Sequence, residues 1–288
     1  MSFVKRVINL TFRLGKGSFG ESGYDTLTVS GLRIRANIIN AGGDSMGVAN
    51  VRVNGLTRSQ MNDLSTFIRS PQGVLEVRYN VLIIEAGEEG KPLDKIFEGQ
   101  IGLAVVDMAN APDVALNITA YAGYFEAVKD ADAKSYPGTP DAVTIMQTLA
   151  KENGYTFENL RNISAPIDTP NLRGSARDQM ARVAKSGRFN WTIDNGVLAI
   201  WPFGDSRGDT VAEISPDLGM VGYPLNVGTG IGVKTLFNHN LQLGKLVKVT
   251  SEIPYANGTF VIFNIGHDIE SETPGGAWFT QIEGSPYL

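Results

Sequence analysis

The stretch RLGKGSFGESGYD, Arg13 to Asp25, places glycines at 15, 17 and 20, a spacing with which nucleotide-binding loops fold backbone N–H groups over phosphates. Phosphate chemistry needs more than glycines. A kinase-type loop requires a bulky residue two positions after its last glycine, and Gly20 is followed by Glu21 and Ser22. It also requires a strand lysine, a His-Arg-Asp loop and an Asp-Phe-Gly metal site, and none of these strings occurs. A dinucleotide fold would need a helix after the glycines, because the helix N-terminus holds the pyrophosphate. Here Leu32, Ile34, Ala36 and Ile38 alternate with Gly31, Arg33, Arg35 and Asn37, which is the period of a strand. Upstream, Val4, Ile8, Leu10, Phe12 and Leu14 share one face of another strand. The loop is therefore expected to join two strands and to bind no nucleotide.

The string HDIE offers the other candidate chemistry. Successive strand side chains point to opposite faces, so His267 goes with Val261, Phe263, Ile265 and Ile269, while Asp268 and Glu270 face away. They do not form one cluster, and His267 reads as a buried, hydrogen-bonded core residue. The only other histidine, His239, falls in a turn, and the chain has no cysteine, so no metal site, thiolate nucleophile or disulfide is expected. No catalytic residue and no cofactor is assigned, although a hydrolytic pair of Ser, Asp or Glu gathered by the fold stays open. Arg207-Gly208-Asp209 is the integrin-binding tripeptide, discounted as a chance string in a loose linker. Trp191 and Trp201 raise a sugar-stacking platform, but they fall on opposite faces of their hairpin, and Trp191 reads as core.

These residues need elements to hold them. Thr57 with Gln60 makes a capping box, and Met61, Leu64 and Ile68 recur at helical spacing until Pro71 and Gly73. Leu75, Val77, Tyr79, Val81 and Ile83 then alternate as a strand, and the charged loop EAGEEGKPLDK leads into IFEGQIGLAVV as a long hairpin. A strand over 114–121 completes a first β unit, expected to close as a barrel or sandwich. KDADAKSYPGTPD reads as a connector. Beyond it lie a helix capped by Thr139 with Val143, Met146, Leu149 and Ala150 on one face, and a second from Ser175 to Gly187 with Ala176, Met180, Val183 and Ala184. In FNWTIDNGVLAIWP, Asn195-Gly196 marks a two-residue hairpin turn that pairs Ile193 with Leu198 and Trp191 with Ile200. After FGDSRGDTVAEISPD come strands at GIGVKTLF, KLVKVTSEI and GTFVIFNIGHDIES, with Asn257-Gly258 at the turn between the last two. Three units result: 1–124, 125–204 and 205–288.

The 288 residues carry 25 Lys and Arg against 30 Asp and Glu, a net charge of -5 that does not suit a surface gripping nucleic acid. Hydrophobic residues make up 42%, ordinary for a globular domain, and no run approaches the ~20 apolar residues of a membrane-spanning helix. Membrane insertion is not expected.

The order β unit, small α+β unit, β unit, ending in PGGAWFTQIEGSPYL, resembles the central baseplate hub proteins of tailed bacteriophages. The resemblance covers most of the chain and is carried by FEGQI (97–101), NWTIDNGVLAIWP (190–202), ISPDLGMVGYP (214–224) and the segment from IPYANGTF through HDIESETPGGAWF (253–279). It implies a mainly β fold in which two tail-tube-like β-barrel domains flank a helix-helix-hairpin domain. It further implies a homotrimer that presents six such domains in a ring, joining a tail-tube or distal tail protein to a spike or needle protein. Phage DNA would transit the lumen without specific binding, and assembly into the virion baseplate would take place in the host cytoplasm. With no repetitive β-helical segment in the chain, spike and needle are expected as separate products. Two rival classes remain, a tail-associated peptidoglycan hydrolase and a carbohydrate-binding β protein.

Overall fold

On β1 (Arg6–Arg13) the side chains of Ile8, Leu10 and Phe12 are wholly buried, and Leu14 continues the same face, whereas Val4 at the start of the pattern is exposed. The structure is a computed structural model that describes residues 4–19, 23–66, 79–109, 111–228 and 230–287. These divide into two units. The first comprises Met1–Ile38, Val48–Tyr124 and His267–Trp278. Its elements are β1, β2 (Thr26–Val29), β3 (Arg33–Asn40), β4 (Val48–Asn54), α1 (Arg58–Leu64), β5 (Val81–Glu88), β6 (Asp94–Asp107) and β7 (Ala115–Tyr121).

The strands follow one another in space as β3-β4-β7-β6-β5-β1-β2. Antiparallel ladders join β4 to β7, β7 to β6, β6 to β5, β5 to β1 and β1 to β2. Two register shifts lie along β6, one opposite Ile84/Glu85 and one between Ile101 and Leu103. Bulges of this kind raise the local twist and let a long sheet curl. Side chains then reach from the start of β1 to the 270s: Lys5 pairs with Glu272 at 2.9 Å, and the Arg6 guanidinium donates to the Gly276 carbonyl and lies over the Trp278 ring. No ladder among the described residues closes the sheet, so the barrel expected from the sequence is not found closed here.

Alternation fails as a guide on β5. The inward residues are Leu82, Ile84 and Ala86, not Val81 and Ile83. Val81 to Ile84 is apolar throughout, so the sequence carries no parity there. The partner strand sets it: Leu82, Ile84 and Ala86 stand opposite Phe12, Leu10 and Ile8, and directly opposed residues point to the same face. The charged segment EAGEEGKPLDK is mostly strand as well, with only a short turn around Gly90. In α1 the capping box is complete, with Gln60 N–H donating to Thr57 Oγ1 and Thr57 N–H to Gln60 Oε1, and the helix ends at Leu64. Ile68, Pro71, Gly73, Leu75 and Val77 lie outside the described residues.

The second unit comprises Ile39–Gly47, Phe125–Gly266 and Phe279–Leu288. In chain order it uses α2 (Tyr124–Val128), β8 (Lys134–Ser135), α3 (Ala142–Glu152), β9 (Thr156–Glu158), β10 (Asn171–Leu172), α4 (Ala176–Gly187), β11 (Phe189–Asp194) and β12 (Val197–Pro202). There follow β13 (Val211–Ile214), β14 (Leu225–Val227), β15 (Gly230–Leu236), β16 (Leu246–Val249), β17 (Gly258–Ser271), whose residues from His267 on belong to the first unit, and β18 (Trp278–Pro286), whose Trp278 does as well. Its larger sheet has the order β14-β15-β18-β17-β16-β13, antiparallel except for the parallel β13/β16 pair.

Helix α3 starts later than the Thr139 cap expected for it. Asp141 is its N-cap and accepts from the Val143 N–H at 2.9 Å and from the Ala165 N–H at 3.0 Å, a second tie that Thr139 lacks a matching sequence signal for. Helix α4 runs from a Ser175–Asp178 capping box to Gly187, but the left-handed residue that ends it is Arg188. Gly187 serves a different purpose, because a Cβ there would come within 3.0 Å of the Ala142 Cβ on α3.

The hairpin of β11 and β12 turns at Asn195 and Gly196, both with positive φ (53° and 80°), and pairs Ile193 with Leu198 and Trp191 with Ile200. Both of its faces are covered. Trp191 is buried with the Arg177 guanidinium over its ring, while Trp201 and Ala199 belong to a core with Ile214, Val247, Phe260 and Ile282. Residues 189–202 and the strands after 205 therefore share one hydrophobic core.

Candidate assembly surface

Three backbone donors in and beside the glycine loop are used within the fold. Leu14 N–H donates to the Asp25 carbonyl, Phe19 N–H to that of Tyr24, and Gly15 N–H to Asn80 Oδ1 at 3.1 Å. The loop passes from β1 into β2, a strand, and Gly20 to Ser22 lie outside the described residues.

His267 is buried on β17 with Ile265 and Ile269, as expected, but without Val261 and Phe263. Phe260 and Ile262 point inward, Phe263 is exposed, and the inward set resumes at Ile265, His267 and Ile269. The run from Phe260 to Phe263 is apolar, and Val247 opposite Phe260 fixes which side faces the core. Glu270 lies on the other face, paired with Arg35 at 3.3 Å. Among the described residues no three His, Asp or Glu side chains are arranged to hold a metal.

Asn257 and Gly258 do not form a tight two-residue turn. A short 3-10 helix, Pro254–Ala256, precedes them, and Gly258 pairs with Val249 at the end of a longer loop. Asn257 ties that loop, accepting from the Ser251 N–H and donating to the carbonyls of Ser251 and Ile253.

The segment read as a loose linker is held by charge. Arg207, 4% exposed in its side chain, donates from Nε to Glu158 Oε1 at 2.5 Å and approaches Asp194 at 3.9 Å. Its neighbour Gly244 has φ 77°, and a Cβ there would press on the Trp201 ring at 2.9 Å and on Arg207 Cβ. Arg161 donates to the Ser206 carbonyl and hydroxyl and to Asp209, and pairs with Asp205 at 3.3 Å. The arginine of the Arg-Gly-Asp string is thus a buried structural ion, not a displayed one.

Asp205 follows from this packing. Burial works to raise its pKa, but the Ser206 N–H, the Tyr287 hydroxyl and Arg161 outweigh burial and hold the carboxyl below the ordinary range. Asp141 behaves alike: burial opposes, and the N–H groups of Ala165 and Val143 with the Ser164 hydroxyl prevail. A folded pKa below the unfolded one gives stability that is complete above about pH 4 and is lost as pH falls through the folded value. The second unit should therefore lose stability on acidification below about pH 4. Urea midpoints at pH 7, 4 and 3 test this, and Asp205→Asn with Asp141→Asn should flatten the profile. A midpoint independent of pH in that range would contradict it.

Edge strand β14 and the segment before it present an apolar surface. Leu225 is 69% exposed and Tyr223 64%, and Leu218, Leu236, Ile39 and Phe263 are exposed as well. Ile39, Tyr223, Leu225 and Val227 wall a groove of about 480 Å³ that Gly232 and Gly266 help to line. Strand β14, three residues long, ends the sheet order and carries no charge, and among the described residues its outer edge pairs with no further strand. Exposed apolar patches of this kind mark association surfaces. The density of Leu, Met, Val and Tyr in the Gly- and Pro-marked string ISPDLGMVGYPL was the sequence signal for it.

An antiparallel sheet, a helix pair with a hairpin, and a second sheet make up a fold that this chain shares with tail proteins of known structure. The tail protein from Neisseria meningitidis MC58 has a TM-score of 0.65 to this chain at 9% identity, covering 97% of this chain and 96% of that one. A 43 kDa tail protein of prophage MuSo2 from Shewanella oneidensis gives 0.60 at 12% identity, over 96% of both chains. The E. coli c3393 protein, a type VI secretion component with structural similarity to the T4 tail proteins gp27 and gp5, gives 0.56 at 8%, over 89% of this chain and 73% of that one. At such identities the likeness is one of fold. No match was found among curated protein sequences. Residues 7–280 match the family described as baseplate hub gp41, and the chain belongs to that family. It is a tail baseplate hub protein, as the four sequence strings had implied.

Proposed function

We propose that three copies of this chain form a ring on the tail axis, a structural adaptor between a sixfold tail tube and a threefold spike or needle. The observation that carries the reading is that each chain supplies two β-sheet units, one of which ends in an uncharged, apolar edge strand. Two tube-like units per chain match a sixfold ring only when three chains assemble, and two or four leave a mismatch. In this reading residues 1–124 and 205–288 carry the ring as tail-tube-like domains, and 125–204 sit at its periphery. The net charge of -5 suits a lumen through which DNA slides, because like charges keep it from sticking. Assembly takes place in the host cytoplasm, and no catalytic step is assigned. The carbohydrate reading loses its platform, since Trp191 and Trp201 are both buried.

Native mass spectrometry of the chain, alone and mixed with its tail-tube partner, tests the stoichiometry. A species of three chain masses, alone or once the tube partner supplies a template, is the expected result. Dimers or tetramers under both conditions would exclude the ring. Leu225→Asp should shift the distribution toward single chains, because a charge on an edge strand opposes pairing.

A further inference from the structure

The sheets of the two units each end in a strand of the same kind. In the first unit the order ends with β2, which among the described residues pairs only with β1. Its four residues carry no charge, and neither do the three of β14 at the end of the second unit's sheet. The opposite end of that second sheet differs, because β13 bears Glu213, paired with Lys248 at 3.7 Å. Charges on an edge discourage a further strand, and their absence at β2 and β14 leaves both open to one. Both strands are short, so backbone bonds alone would hold a partner weakly. A side-chain anchor is needed.

Apolar exposure is concentrated at the same two ends. Tyr24, two residues before β2, is 74% exposed, the highest value among the large hydrophobic side chains described, and Leu225 on β14 follows at 69%. Beside Leu225 the groove has Gly232 and Gly266 in its lining, and a Cβ on Gly232 would meet Val227 at 3.0 Å. The about 480 Å³ left open accommodates an aromatic ring. Charge matches as well: the groove includes Lys234 and Glu283, and the β2 end of the first sheet exposes Asp25 and Arg13, one charge of each sign to meet them.

We propose that β2 of one copy adds to the outer edge of β14 in the next copy, with Tyr24 seated in the groove beside Leu225. The occupant is a second copy of this chain, because the strand, the aromatic anchor and the opposite charges all belong to it. Such a contact joins two different surfaces, so it repeats from copy to copy and closes into a ring when the rotation per copy permits. That it closes with three copies rests on the hub reading; the strand contact itself does not.

The chain has no cysteine, so thiols can be placed where the test needs them. Two versions of the whole chain, one Thr26→Cys and one Asn226→Cys, are mixed and treated with a short bismaleimide, both free in solution and in tails assembled from the mixture. Both positions are exposed, and neither version can link within itself. Covalent pairs containing one of each are the expected result. Tyr24→Lys added to the first version, or Leu225→Asp added to the second, should cut the linked fraction about tenfold, as loss of an apolar anchor does, with unchanged urea midpoints because both sites are exposed. Using the two together should recover about threefold or more over either alone, since lysine then meets aspartate across the contact. No mixed pair in either setting, links only between two Asn226→Cys chains, or links only from Asn226→Cys to a tube or spike protein would overturn the contact. A three-chain species without the mixed link would leave the ring standing and remove this contact. Mixed links confined to assemblies of other sizes would leave this contact standing and remove the ring.

Discussion

Replacing Arg207 by methionine is expected to destabilise the second unit by about 3 kcal/mol or more. The guanidinium is almost wholly buried and faces two carboxylates, Glu158 at 2.5 Å and Asp194 at 3.9 Å, which arrive from β9 and from the end of β11. Removing one member of a buried pair leaves the partner's charge desolvated and unmatched, and that loss exceeds anything the pair contributed by mutual attraction. Lys245 is a poor substitute, because burial, the first cause of its lowered pKa, persists when the Arg207 charge is gone. Methionine keeps the stem volume, which separates the charge effect from a cavity. Urea unfolding followed by tryptophan fluorescence measures the cost, and a change below about 1 kcal/mol would mean that water, not the protein, solvates Glu158 and Asp194.

Gly196→Val should cost the same unit about 1–3 kcal/mol. A two-residue turn of this type needs positive φ at both central positions, and a β-branched side chain resists that region strongly. Asn195 at φ 53° is tolerated because asparagine visits the left-handed region, whereas valine at the 80° of Gly196 is not. The damage should spread, because the Gly196 carbonyl accepts the Thr156 N–H that starts the parallel β9/β12 ladder. Gly196→Asn is the control and should cost much less. A valine variant with an unchanged denaturation midpoint would place the strain elsewhere.

The legible parts of this fold were those where one strand or helix carries its own signal. Ile8, Leu10 and Phe12 alternate without interruption, and Ile34, Ala36 and Ile38 do the same, so their inward faces follow from period alone. Asn195-Gly196 sets the hairpin register because a two-residue loop permits few alternatives. Val81 to Ile84 and Phe260 to Phe263 are apolar on both faces, and their parity comes from β1 and β16, partners about 70 and 13 residues away in sequence. The same limit hid the functional features. Arg207 looked like linker because Gly, Asp and Ser surround it, while Glu158 and Asp194 reach it only through tertiary folding. Leu218, Tyr223 and Leu225 were visible as a string but not as a surface, since exposure of an apolar residue is decided by what the rest of the sheet leaves uncovered.

The ring is tested most directly by electron cryo-microscopy of intact tails, reconstructed without imposed symmetry at the junction of tube and spike. Three copies of this chain around the tail axis, each placing two β units in a ring that continues the tube, is the result predicted here. Six copies, or density for this chain away from the axis, would contradict it.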